Sequence, residues 1–113
     1  RSYFAKKSYK LADKNNYISG KVIAARLIAV ELMYKGQFSE GIDLLFKEKL
    51  DLDTVNYIRE NAIIDYNLGL IYSASGNYKA GLPYLNKSLA VVITSLMVNY
   101  GYCYYGLEKY DSA

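Results

Sequence analysis

The sequence predicts an all-α fold, a solenoid of antiparallel helix pairs stacked side by side. Three observations predict it. Apolar residues recur at helical spacing along nearly the whole 113-residue chain, and no segment reads as a strand. Small residues return at a long interval: Ala5, Gly41, Gly81 and Ala113 stand 36, 40 and 32 residues apart, within the range in which helical repeats recur. Glycine also interrupts helical stretches at Gly69 and Gly101, although an interior glycine costs a helix about 0.5–1 kcal/mol relative to alanine. A cost that repeats needs a reason that repeats, and helices crossing too closely for a side chain supply one.

Helices are predicted over about 2–14, 17–35, 38–50, 54–75, 78–92 and 95–106, with a further one from 109 onward. Asn15 or Asn16 is the expected cap of the second helix, and Asp53 or Thr54 that of the fourth. Gly36 and Gly76 fall where a helix ends, a place that favours a left-handed residue. Pro83 lies near the start of the fifth helix; its missing N–H is cheap if the helix starts late and kinks the first turn otherwise. The chain is one domain: 1–14 is the second helix of a cut repeat, 17–50 and 54–92 are repeats, and 95–113 starts another.

Three segments align on this period. A small residue sits mid-helix at Ala29, Gly69 and Gly101, preceded by Ile28, Leu68 and Tyr100 and followed three residues later by Leu32, Tyr72 and Tyr104. An aromatic opens the next stretch at Phe38, Tyr78 and Tyr110, and Gly41, Gly81 and Ala113 follow. This pattern resembles the tetratricopeptide repeat, W-x2-L-G-x2-Y, then A-x3-F, then P. Leu68, Gly69, Tyr72, Gly81 and Leu85 carry the clearest match; Asp65 stands in the Trp place and no proline closes a repeat. The resemblance implies a right-handed αα-superhelix whose repeats contact mainly their neighbours.

The bulk numbers exclude several function classes. A net charge of +3 is too small to argue for nucleic acid, and the basic residues Arg1, Lys6, Lys7 and Lys10 read as a solvated helix face. No apolar run reaches the length of a membrane span. The single cysteine, Cys103, cannot form an intrachain disulfide and reads as a small buried filler; the compartment is undetermined, with a weak lean towards the cytoplasm. With no histidine there is no His-based dyad, triad or metal site. Asp51 and Asp53 read as a solvated turn rather than a cation site. No catalytic constellation, metal site or cofactor is expected. The chain, opening on Arg1, reads as a piece of a longer protein.

Partner binding is the expectation that remains. The resemblance implies that the first helix of each pair lines a concave face. There the spacing i, i+4, i+7 selects Arg26, Val30 and Met33; Tyr66, Leu70 and Ser73; and Val98, Tyr102 and Tyr105, flanked by Asn67 and Asn99. Tyrosine suits recognition because it offers a large area and a hydroxyl at small rotamer cost. Tyr72, Tyr100 and Tyr104 are assigned to the core instead. Some members of this family grip a peptide's C-terminal carboxylate. Asn67 matches the family's Asn and Arg26 stands where a clamp Lys would, but Val30, Val98 and Tyr102 occupy the other clamp places. A peptide, extended or helical, held by apolar pockets and Asn–backbone hydrogen bonds is the expectation. The competing reading is a structural or self-associating segment of a larger bacterial sensor or transcription regulator. A helical-repeat RNA binder would need a basic concave stripe, which Arg26 alone does not make.

Overall fold

Five helices follow one another along the chain: α1 (Ser2–Lys14), α2 (Ile18–Tyr34), α3 (Phe38–Asp51), α4 (Ile58–Ala74) and α5 (Tyr78–Asp111). The computed structural model describes the backbone of residues 2–111 and the side chains of residues 3–94. No strand occurs among the described residues, so the fold is all-α. Backbone packing joins each helix to the next, and α2 also packs on α4. Helices α2 and α4 are each 17 residues long and begin forty residues apart at Ile18 and Ile58.

The ends of the helices explain this register. At Gly36 (φ +76°) and Gly76 (φ +87°) the chain turns left-handed. In both places the glycine N–H donates to the carbonyl three residues back, and the next N–H reaches five residues back, Gln37 to Leu32 and Asn77 to Tyr72. These are Schellman closures. A third ends α1, where Asn16 holds φ 54° and Tyr17 N–H donates to the Ala12 carbonyl. Asn16 therefore stops the first helix rather than capping the second, whose preceding residue Tyr17 makes no side-chain cap. Asp53 likewise works one turn earlier than expected. Its carboxylate accepts the N–H groups of Val55 and Asn56, so it closes a turn over 53–56 and α4 begins only at Ile58. The N–H groups oblige a partner of this kind wherever a helix does not supply one.

The helices expected over 78–92, 95–106 and from 109 are one continuous helix of 34 residues. Neither Gly nor Pro stands at the expected break, Ile93–Thr94–Ser95, and the backbone there has no reason to leave the helix. Asn77 caps its start through the Ala80 N–H at 3.3 Å. Pro83 lies in the second turn, where it removes a hydrogen bond to the Lys79 carbonyl, on an exposed face.

The core sits between α2, α3 and α4. Val22 and Ala29 from α2, Leu45 from α3, and Ile64, Leu68 and Ile71 from α4 form one buried cluster. The α2 residues are seven positions apart and the α4 residues four and three, which is one face of each helix. Phe38 packs against this cluster, whereas Tyr78, expected in the same role, is exposed. An aromatic seam ties in α5: Tyr84 stacks on Tyr72 with centroids 5.9 Å apart and meets the edge of Phe46 at 5.8 Å.

Two buried carboxylates join the pairs. Glu48 is 3% exposed, accepts the Tyr9 hydroxyl of α1 and lies 3.8 Å from the Lys21 ammonium of α2. Asp65 is 2% exposed and pairs at 2.5 Å with Lys49, which also donates to the Asn61 side chain. Both were legible as carboxylates on apolar faces: Glu48 follows Gly41 and Leu45 on one stripe of α3. Among the described residues no buried side-chain polar atom lacks a partner, which is what burial of charge requires.

Candidate functional site

An open groove of about 770 Å³ runs between α2, α4 and the middle of α5. That volume lies in the range of ligand-binding clefts, about 300–1,000 Å³. Arg26 comes from α2 and Arg59, Ala62, Ile63, Tyr66 and Asn67 from α4. The opposite wall is α5, with Leu85, Ser88, Leu89, Val91 and Val92. Residues 85, 88, 89 and 92 are spaced as one helix face. Leu89 and Val92 are more than half exposed, so this face lacks a covering neighbour among the described residues.

Three of the residues expected on the binding face, Arg26, Tyr66 and Asn67, come together in this groove. Val30, Met33, Leu70 and Ser73, the other expected residues with described side chains, do not line it. Met33 packs on the core cluster. Ser73 lies at the crossing of α4 and α5, beside Gly81. Val30 and Leu70 are half-buried elsewhere on their helices. Val98, Asn99, Tyr102 and Tyr105, like Tyr100, Tyr104 and Cys103, lie outside the residues whose side chains are described. Tyr66 is half exposed and available for contact. Asn67 is different: it is 3% exposed, and its amide nitrogen donates to the Ile63 carbonyl at 2.7 Å. It is engaged with its own helix rather than presented to a partner.

The α5 wall and Arg59 were not expected. The signal for the wall was the second apolar stripe Leu85, Leu89 and Val92, hidden because only first helices were considered. The walls offer little polar chemistry. Ser88 Oγ donates to the Leu85 carbonyl at 2.8 Å, so like Asn67 it is satisfied internally. Among the described residues no Asp or Glu lines the groove. No group of three or more potential metal ligands occurs among the described residues. No described helix is long and apolar enough to cross a membrane. Comparison with known protein families, curated proteins and solved structures finds no match.

Proposed function

We propose that the chain is a tetratricopeptide-like αα-superhelix that acts as a non-catalytic protein–protein interaction module, holding a partner segment in the groove between α2, α4 and α5. The observation that carries this reading is the groove itself: an open apolar cleft with half-exposed Tyr66 and Leu89 on facing walls. Exposed apolar surface of this kind, rimmed by polar residues, marks interaction sites. The forty-residue offset between α2 and α4 and the buried small residues Ala29, Gly41, Gly69 and Gly81 support the repeat reading.

The test is capture of partners from a lysate by the immobilised protein, followed by reconstitution with the purified partner. Tyr66→Ala/Leu89→Asp is the control, because both side chains reach solvent. A purified partner that binds the wild type and is lost from the double variant supports the reading. Binding that ignores the double variant, with the fold intact by circular dichroism, removes the groove from the function.

A further inference from the structure

Lysine outnumbers arginine in the chain by eleven to three. Yet both arginines of the described residues, Arg26 and Arg59, line the groove, and no lysine does. Neither guanidinium pairs with a carboxylate among the described residues, where the ion pairs involve Lys21, Lys35 and Lys49. With no acidic residue among the described residues of its walls, the groove carries two positive charges without a described counter-charge beside its apolar lining. Arginine differs from lysine in presenting a planar fork that binds a carboxylate through two hydrogen bonds. The placing of Arg59 is also locally unfavourable. It occupies the first turn of α4, where the helix dipole prefers an anion. A residue that breaks a local rule with no compensating contact points to a function.

The walls also restrict the backbone of whatever binds. They are faces of helices, whose main-chain groups are already bonded except in the first turn of α4, at the Arg59 end. Of their amide and hydroxyl side chains, Asn67 and Ser88 donate to their own helices, which leaves the Tyr66 hydroxyl and the two guanidiniums. An extended peptide would bury most of its N–H and C=O groups against this surface without partners, at a cost of a few kcal/mol for each group. A helix satisfies its own backbone and meets the groove with side chains alone.

Resting on the reading of this groove as a docking site, we infer that its occupant is an amphipathic helix of a partner protein, with an apolar face flanked by Asp or Glu side chains that pair with Arg26 and Arg59. The carboxylates set orientation and partner choice; the apolar face supplies the buried area.

Panning a display library of random peptides of roughly 16 residues, about four helical turns, against the immobilised protein tests this, with Leu89→Asp as counter-selection. The expected winners repeat apolar residues at i, i+4, i+7 and carry Asp or Glu. A labelled winner should lose about tenfold or more in affinity against Arg26→Ala/Arg59→Ala, partly recover with Arg26→Lys/Arg59→Lys, and weaken as salt rises. Winners lost on Leu89→Asp but indifferent to the arginine variants leave the groove reading standing and overturn this inference. Winners rich in proline or basic residues overturn it as well. Failure to select any groove-dependent peptide removes both. Competition by a synthetic peptide of residues 95–111, with dimerisation of the protein in light scattering, replaces the partner helix by a second copy of this chain.

Discussion

Gly69 and Gly81 face each other where α4 crosses α5, so closely that a Cβ on Gly81 would stand 2.9 Å from the Gly69 carbonyl oxygen. The neighbouring pair repeats the arrangement at lesser density: a Cβ on Gly41 would meet the Ala29 carbonyl oxygen at 3.2 Å. A Cβ on Gly69 would collide with the Leu85 Cγ and stand 3.1 Å from the Gly81 carbonyl oxygen, so position 69 has glycine where position 29 has alanine. The approach of the two backbones sets which residue each site accepts, and it explains why helices rich in glycine persist despite the propensity cost.

Replacing Gly81 by alanine sets two effects against each other. Helix propensity gains up to about 1 kcal/mol, while overpacking against a backbone oxygen and the Tyr72 Cβ costs about 1–3 kcal/mol. Because the obstructing oxygen belongs to a helix backbone, the crossing has to widen. Gly81→Ala is expected to destabilise by about 1–2 kcal/mol, read as a lower urea midpoint with unchanged slope. An increase in stability would show that α4 and α5 do not meet this closely in solution.

The Lys49–Asp65 pair gives a different signature. Asp65 is almost wholly buried, whereas the Lys49 side chain is 24% exposed. Lys49→Ala leaves a buried carboxylate without its cation and is expected to cost about 2–4 kcal/mol. Removing both charges, as Lys49→Met/Asp65→Leu, deletes the desolvation cost together with the attraction. That double variant is expected within about 1 kcal/mol of wild type. A double variant as unstable as the single one would mean that the pair contributes packing which aliphatic side chains cannot replace.

Around Glu48 the expected response is to alkali. Burial raises the Tyr9 pKa above the ordinary phenol value, and the hydrogen bond to the Glu48 carboxylate and its charge raise it further. Burial by itself lowers the Lys21 pKa, but the hydrogen bond to Asp13 and the charges of Glu48, Asp13 and Asp51 outweigh it, and the net direction is up. Both folded values lie above the unfolded ones, 10.0 for Tyr and 10.5 for Lys. The stability these groups contribute is complete below about pH 10 and is lost as pH rises through the folded values. Tyr9→Phe is expected to cost about 1–2 kcal/mol near neutrality and to flatten the fall of stability above pH 10. Urea titrations at pH 7, 9 and 11 read both; an unchanged alkaline slope would place the titrating group elsewhere.

Most of the fold is legible because its signals are local. Gly36 and Gly76 announce helix ends, and the 28–29–32 and 68–69–72 triplets announce the crossings. The first four helix spans are recovered to within one residue at each end, save the start of α4. What is not legible depends on neighbours in space. Asn16 carries a polar side chain suited equally to a cap and to a left-handed stop, and only the path of the next helix decides between them. The expected break near residue 94 came from extending the period, but no residue there breaks a helix. The groove was legible only in part: Tyr66 and Asn67 line it as expected, whereas Leu70 and Ser73 do not, and the share of Arg59 and of α5 depends on how the helices cross.

Adjacent residues in the groove supply the sharpest contrast. Tyr66 is half exposed and bonded to nothing in its own helix, while Asn67 is buried and donates to the Ile63 carbonyl. Truncating a half-exposed side chain removes little folded-state contact, so Tyr66→Ala is expected to leave stability within about 0.5–1 kcal/mol of wild type. Asn67→Ala removes a buried hydrogen bond and opens a small void, and is expected to cost about 1–2 kcal/mol. Any partner bound in the groove should therefore be lost with Tyr66→Ala at unchanged thermal midpoint. With Asn67→Ala, weaker binding should accompany a lower midpoint, since the amide acts through its own helix. Measuring midpoint and affinity for both variants separates the two roles. Equal loss of binding from Asn67→Ala at a wild-type midpoint would mean that the amide leaves Ile63 and bonds the partner directly.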